Sequence, residues 1–381
     1  MKLTVLPEPF RAALDVATGA VLTRTGRPPV LGHVLLTATP DDGLVLTGTD
    51  LSTRAWHAAP ANVEVAGAVT LPPKTLTDFL DACDPRTPIT LTVDDQHKAL
   101  LVCGRTRIRV AGLDPEQFPV APDQTAPLVD LMLNAALLAQ LVGSVGHAIA
   151  PADNRPTLAG ILVQVRDNTL TLASADGFRM AVRSVPIEAA DLGIIVSGKP
   201  LIKAAGAIKA AESVRLQVDQ HASALLLDTE VGSWSLRLIE GQYPDFQRII
   251  PTDPPVRVTC LRDDILRALR LVNRIEQTAT GYRVHLRIER NAIGLRAGTD
   301  TTDQEAGAEI DAELEAGEPF SVAYNTAYLS DAVSAIEGER VALDIGGALK
   351  PCIIRAAGEP DGHLQIIMPM ATPRAGAERA D

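Results

Sequence analysis

Hydrophobic positions along this chain follow two periods that alternate in a fixed order. Apolar residues at helical spacing mark 8–21 (EPFRAALDVATGAV), 128–145 (LVDLMLNAALLAQLVGSV) and 261–275 (LRDDILRALRLVNRI), each predicting an amphipathic helix. Shorter helical patterns follow Lys74, Lys199 and Asn325. Between the helices run period-two segments such as 99–112 (ALLVCGRTRIRVAG), 213–219 (SVRLQVD) and 282–288 (YRVHLRI), which predict half-buried strands. Within 103–110, Arg105, Arg107 and Arg109 fall on one face and Thr106, Ile108 and Val110 on the other. That is the pattern of a charged edge strand.

The order then repeats. LVLTGTDLSTRAWHAAP from Leu44, LTLASADGFRMAVRSVP from Leu170 and IGLRAGTDTTDQEAGAEID from Ile293 are three versions of one strand–turn–strand unit. Asp50, Asp176 and Asp300 hold the same place in them, 126 and 124 residues apart. Lys74, Lys199 and Asn325 are 125 and 126 apart, and Phe118-Pro119 recurs as Tyr243-Pro244 after 125. Three independent landmarks at one period predict a triplicated domain. The segments 119–127 and 249–256, rich in proline and acid, read as linkers, so the expected domains are 1–122, 123–253 and 254–370, with 371–381 a disordered tail. The fold class is α+β, three tandem domains of similar fold, each with about two helices and two groups of strands.

Composition narrows the chemistry. The 381 residues carry 35 basic and 47 acidic side chains, net −12, and 46% are hydrophobic with a mean hydropathy of +0.12. That is enough apolar material for real cores, and it argues against a surface that is one continuous nucleic-acid footprint, although a local basic patch remains compatible. The start MKLTVLPEPF has no signal-peptide pattern, and no apolar run approaches a membrane span, so a cytoplasmic location is expected. Cys83, Cys103, Cys260 and Cys352 lie far apart with no CxxC pair and read as buried thiols. No phosphate loop, dinucleotide fingerprint, HExxH or GxSxG occurs, and the seven histidines are scattered singly. Each recurring aspartate sits in its own domain just past a strand, where a carboxylate fixes a turn by accepting from backbone amides. No catalysis, cofactor or metal is expected.

Strings in this order over residues 1–370 resemble the bacterial DNA polymerase III beta subunit, the sliding-clamp family: MKLTV (1–5), PPVLGHVLL (28–36), LVLTGTDL (44–51), NRPTLAGILV (154–163), ADGFRMA (175–181), EGQYPDFQRIIP (240–251) and IIMPM (366–370). The resemblance implies three clamp-type domains per chain, and two chains closing head-to-tail into a six-domain ring around duplex DNA. It implies partners in that DNA, bound without sequence preference, in a second copy of the chain, and in replicative polymerase, clamp loader and repair proteins that dock short linear peptides; a nucleoid-associated location follows. Expected DNA-facing residues are Arg24, Arg27, Lys74, Lys199, Lys203, Lys209, Arg267, Arg270 and Arg274. Asp78, Asp81 and Asp331 on the neighbouring helical patterns make that surface less positive than expected. The peptide pocket matches Leu158, Ala175, Gly177, Phe178, Arg179, Met180, Pro244, Arg248, Ile249, Ile366, Met368, Pro369 and Met370. Phe178 and Ala175 stand where many members carry histidine and threonine. Three of the five methionines fall in this set, and methionine adapts to varied partner side chains. The ring joint matches Arg105, Arg107, Ile108 and Val110 against Leu271, Val272, Asp303, Glu305 and Glu309. An auxiliary or diverged clamp, and a protein-binding repeat scaffold that does not encircle DNA, remain open alternatives.

Overall fold

A computed structural model describes residues 1–22, 28–120, 127–151, 155–219, 221, 223–276, 283–298, 305–358 and 362–371. The first domain shows how the repeat is assembled. Helices α1 (Pro7–Thr18) and α2 (Pro73–Asp81) both open on proline, which fits a first turn because its N–H would be unpaired there anyway. They accompany strands β1 (Lys2–Val5), β2 (Val34–Thr39), β3 (Gly43–Thr49), β4 (Thr53–Ala59), β5 (Ala61–Val65), β6 (Gly67–Leu71), β7 (Ile89–Val93), β8 (Lys98–Cys103) and β9 (Thr106–Ala111). Phe10, Leu14 and Ala17 of α1 and Leu76 and Leu80 of α2 meet Leu3, Leu36, Leu44 and Leu91 of the strands in one core.

The second domain holds β10 (Pro127–Asn134), α3 (Ala135–Val145), β11 (Gly160–Arg166), β12 (Thr169–Ala175), β13 (Arg179–Pro186), β14 (Leu192–Ser197), α4 (Gly198–Ile208), β15 (Ser213–Asp219), β16 (Ala224–Thr229) and β17 (Gly232–Arg237). The single helix expected over 128–145 is therefore corrected to a strand and a helix. Leu131 and Leu133 are buried while Leu128, Asp130, Met132 and Asn134 are exposed, a period of two that satisfies a ladder with β15. Asn134 ends the strand and caps the helix, its Oδ1 accepting from the Leu137 N–H at 3.0 Å.

In the third domain β18 (Val256–Leu261), α5 (Arg262–Glu276), β19 (Arg283–Ile288), β20 (Ala292–Gly298), β21 (Glu305–Ala316), β22 (Phe320–Asn325), α6 (Thr326–Ala335), β23 (Arg340–Ile345), β24 (Cys352–Ala356) and β25 (His363–Ile367) complete the repeat. Ile265, Leu269 and Val272 of α5 and Leu329 and Val333 of α6 bury against Leu286, Leu295, Leu343 and Ile354. Asn325 caps α6 by accepting from the Ala327 and Tyr328 amides.

The chain packs as two compact units, residues 1–140 with 199–239 and residues 141–198 with 240–381. The first contains a five-stranded sheet, β5-β1-β7-β8-β9, and an eight-stranded sheet, β10-β15-β16-β17-β4-β3-β2-β6. In the second, twelve strands run β14-β11-β12-β13-β25-β24-β23-β18-β21-β20-β19-β22. Each unit thus contains one joint between domains. β4 pairs with β17, from Thr53↔Leu236 to Trp56↔Ser233, and β13 pairs with β25, from Arg179↔Ile367 to Arg183↔His363. In both, the strand that follows the recurring aspartate meets the last strand of the next domain.

Candidate partner-peptide site

The loop between β12 and β13 is held by one carboxylate. Asp176 Oδ1 accepts from the backbone N–H groups of Phe178 (2.8 Å) and Arg179 (2.9 Å). Gly177 has φ +96°, a left-handed conformation that glycine adopts without strain. A Cβ there would stand 3.0 Å from a guanidinium nitrogen of Arg155. The turn directs Phe178 outward, 65% exposed, while the Phe178 carbonyl accepts from the Met368 N–H at 2.8 Å. Beyond Met368 the chain is pinned again, Met370 N–H donating to Ala323 O at 2.7 Å. Met368 is exposed, and Pro369 and Met370 are half-buried. The segment after β17 brings in Tyr243, whose hydroxyl lies against the Ala175 backbone and is pushed well above the usual phenol range by burial. Its short helical turn Phe246–Ile249 leaves Ile249 exposed and Arg248 paired with Asp245 at 2.8 Å.

Arg179 faces the other way. Its guanidinium donates to Asp176 (3.0 Å) and to Asp331 on α6 (2.6 Å), and it lies over the Tyr328 ring at 4.2 Å. Behind it, Gln365 Nε2 donates to Ser144 O at 2.9 Å and lies 3.0 Å from the His363 ring. Burial and then the Arg183 charge across the ladder push His363 down to about 4, and burial with Arg179 pushes His147 down as well. Both rings are thereby held neutral.

The joint of the first unit repeats this frame with other side chains. Asp50 Oδ1 accepts from the Ser52 (2.9 Å) and Thr53 (2.6 Å) amides, with Leu51 at φ +76° in the place of Gly177. Arg237 N–H donates to Ser52 O at 2.9 Å, matching the bond from Met368 to Phe178. Arg54 is half-buried, donating to Pro119 O and lying 5.9 Å from the Phe118 ring centre; burial lowers its pKa.

Three consecutive domain signatures of the DNA polymerase III beta subunit match the chain: the N-terminal domain over 1–122, the central domain over 132–245 and the C-terminal domain over 247–371. This chain belongs to the bacterial DNA polymerase III beta subunit family. The beta sliding clamp of Staphylococcus aureus is 24% identical over 390 residues, covering 98% of this chain and 100% of that protein. The Staphylococcus epidermidis clamp is 23% identical over 385 residues with the same coverage. Among solved structures, the Bacillus subtilis DNA polymerase sliding clamp superposes with a TM-score of 0.90 at 21% identity, and a Pseudomonas aeruginosa clamp bound to griselimycin with 0.87 at 24%. Each covers 98% of this chain and 100% of its own; these likenesses speak to the fold. Beta subunits are non-catalytic processivity factors.

Within this family frame the expected site residues can be placed one by one. Arg24, Arg27 and Asp303 lie outside the described residues, as does the tail beyond Ala371. Lys74 is exposed on α2, and Lys199 and Lys203 on α4; Lys209 is exposed just past the end of α4. Arg267, Arg270 and Arg274 form one exposed stripe on α5, with Leu271 (48% exposed) among them. Of the acids that dilute this charge, Asp81 is paired with Arg11 at 2.6 Å and Asp331 with Arg179; Asp264 on α5 also contacts Arg267. In the pocket set, Ala175 is half-buried and Pro244 exposed, whereas Leu158, Met180 and Ile366 are buried. Arg179, also in the pocket set, is anchored, with Asp176, Asp331 and Tyr328 holding it inward.

At the joint set, β9 alternates as expected, with Arg107 and Arg109 exposed, Ile108 half-buried and Val110 buried in the first-domain core; Arg105 is exposed in the preceding turn. Val272 is corrected: it is fully buried in the core of its own domain, because a one-residue step on a helix turns a side chain by about 100°. Glu309 is exposed on β21, and Glu305 opens that strand. Sequence reasoning missed Tyr328 beneath Arg179, the Arg155 guanidinium beside Gly177, and the pairing of Asp331 with Arg179. No local pattern links Arg179 to a carboxylate 152 positions away.

Proposed function

We propose that this chain is a DNA sliding clamp: two copies close head-to-tail into a ring around duplex DNA and tether polymerase and repair proteins through short peptides. The observation that carries the reading is the shared construction of the two joints. At each, the strand after the recurring aspartate pairs with the last hairpin strand of the following domain. One strand of each kind then remains: β21, which follows Asp300, and β9, the terminal strand of its sheet. Residues 305–311 of β21 pair with β20 and residues 312–316 with β18. A second copy supplies the missing partners, β21 of one chain meeting β9 of the other. Arg105, Arg107 and Arg109 then face the acidic stretch of Asp303, Glu305 and Glu309, and Ile108 and Leu271 add apolar contact. Two such joints use up both of the unlike ends that each chain offers, so assembly stops at the dimer.

The exposed lysines of α2 and α4 and the arginines of α5 are the proposed DNA-facing charges. Diffuse cations contacting phosphates give hold without reading bases, which a sliding protein needs. The exposed apolar residues Phe178, Ile249, Met368 and their neighbours form the proposed peptide site. Loading onto nicked circular duplex with a clamp loader and ATP tests the ring. The protein should stay with circular DNA through gel filtration and be lost when the circle is cut. Equal retention on linear DNA would mean ordinary binding and would sink the reading.

A further inference from the structure

The fold brings together two thiols that are separate in sequence. Cys83 follows the last turn of α2, and Cys103 ends β8 immediately before the Gly104 turn into β9. Cys83 Sγ donates to Phe79 O at 3.2 Å. Cys103 Sγ donates to Thr87 O at 3.3 Å and reaches Asp84 O, the carbonyl just after Cys83, at 3.9 Å. The carbonyl groups that the two thiols approach, Phe79 and Asp84 on either side of Cys83 and Thr87 three residues further on, set them side by side and within range to interact. Thr106, the first residue of β9, donates from its hydroxyl to Ala82 O at 3.4 Å, so the β8–β9 hairpin is already laid on the loop after α2 through both flanks of its turn. Cys83 is half-buried and open to a small oxidant; Cys103 is 3% exposed. Cys260 and Cys352 are fully buried in the core of the third domain.

We propose that Cys83 and Cys103 form a peroxide-driven, thiol-reversible disulfide that staples the α2–β7 loop to the β8–β9 hairpin. The Cys83 thiolate attacks one peroxide oxygen; a sulfur–oxygen bond forms, the oxygen–oxygen bond breaks, and the departing hydroxide takes up the proton that Cys83 released, leaving as water. Cys103 then attacks the sulfenic sulfur; the sulfur–sulfur bond forms and the hydroxyl leaves with the Cys103 proton as a second water. Two thiols are oxidised and one peroxide is reduced. Burial, reinforced by the neighbouring thiol, pushes Cys83 up to about 12. Arg11, which faces Cys83 and is paired with Asp81, opposes that push. Thiolate is therefore scarce at neutral pH, and closure is slow, speeding up about tenfold per pH unit below that value. The staple responds to sustained oxidant rather than to a brief pulse.

The test treats the full-length protein with hydrogen peroxide at pH 7 and pH 8, blocks remaining thiols under denaturing conditions and maps the peptides. The expected result is a Cys83–Cys103 cross-linked peptide, formed about tenfold faster at pH 8, lost on dithiothreitol treatment and absent from C83S and C103S. Wild-type mapping stands even if a variant folds poorly. Sulfinic acid at Cys83 without a cross-link, a link to Cys260 or Cys352, or four blocked thiols after prolonged treatment would each overturn the proposal.

Discussion

The same backbone hydrogen bond closes both joints, yet the side chains around it make opposite surfaces. In the first unit Arg237 donates to Ser52, and in the second Met368 donates to Phe178. Serine and arginine flank one bond, phenylalanine and methionine the other. The arginine inside each strand also differs by one place. Arg54 lies four residues after its aspartate and reaches Phe118 and the Pro119 carbonyl, so the first joint covers its own aromatic residue. Arg179 lies three after its aspartate and is drawn inward by Asp176, Asp331 and Tyr328, and the apolar pair outside it stays uncovered. Repeating a frame thus leaves the chemistry of its surface free: a few side chains turn one copy into a covered seam and leave the other with an exposed apolar pair, the proposed peptide site.

Exchanging those side chains should have the largest effect. Phe178→Ser with Met368→Arg should weaken binding of a polymerase-derived peptide by about a hundredfold or more in isothermal titration, as expected when central apolar anchors are removed. Deleting 368–381 should abolish binding, and deleting 371–381 should leave it intact; equal loss from both deletions would move the site into the tail. Arg179→Ala should come next. It leaves the mostly buried Asp176 carboxylate and Asp331 without their cation, at a cost of about 3 kcal/mol in chemical denaturation, and it weakens the peptide by disordering the loop.

Acid should act on the second joint through its histidines. His363 has its folded pKa held below the ordinary value near 6.5, so its contribution is complete above pH 6.5 and is lost as pH falls toward 4. The loss is about 2 kcal/mol by pH 5. His363→Gln should flatten that slope in urea titrations at pH 7 and pH 5; an unchanged slope would remove His363 as the cause. The smallest effects belong to the turns. Gly177→Ala should cost about 1 kcal/mol, the penalty of a Cβ in the left-handed region, whereas Leu51→Gly should change thermal stability by less, since relieved strain offsets added chain entropy.

What could be read from the sequence follows the range of the interaction. Asp50 and Asp176 were legible because an aspartate that fixes a turn bonds to amides two and three residues on, and the helices of the first and third domains because their apolar stripes are local. The run 128–133 is apolar enough to satisfy both periods, and only Asn134 marks the change to a helix. Leu271 and Val272 looked equivalent until the phase of α5 was known. The ion pair of Arg179 with Asp331, the cover of Arg54 over Phe118 and the contact of Cys83 with Cys103 depend on tertiary folding, and nothing near those residues announces them.

Because sheets run through the joints, the three domains are poor fragments. A cut near residue 122 would strip β17 from β4, and one near 253 would strip β25 from β13. Thr53 and Ala55 on one exposed margin, and Met180 to Val182 on the other, are buried in the intact chain, whereas the arginines of β9 already stand in solvent. Such margins invite aggregation or strand exchange between molecules. Expression trials and proteolytic trimming would therefore do better to keep each jointed pair of strands on one piece than to follow the borders of the repeat.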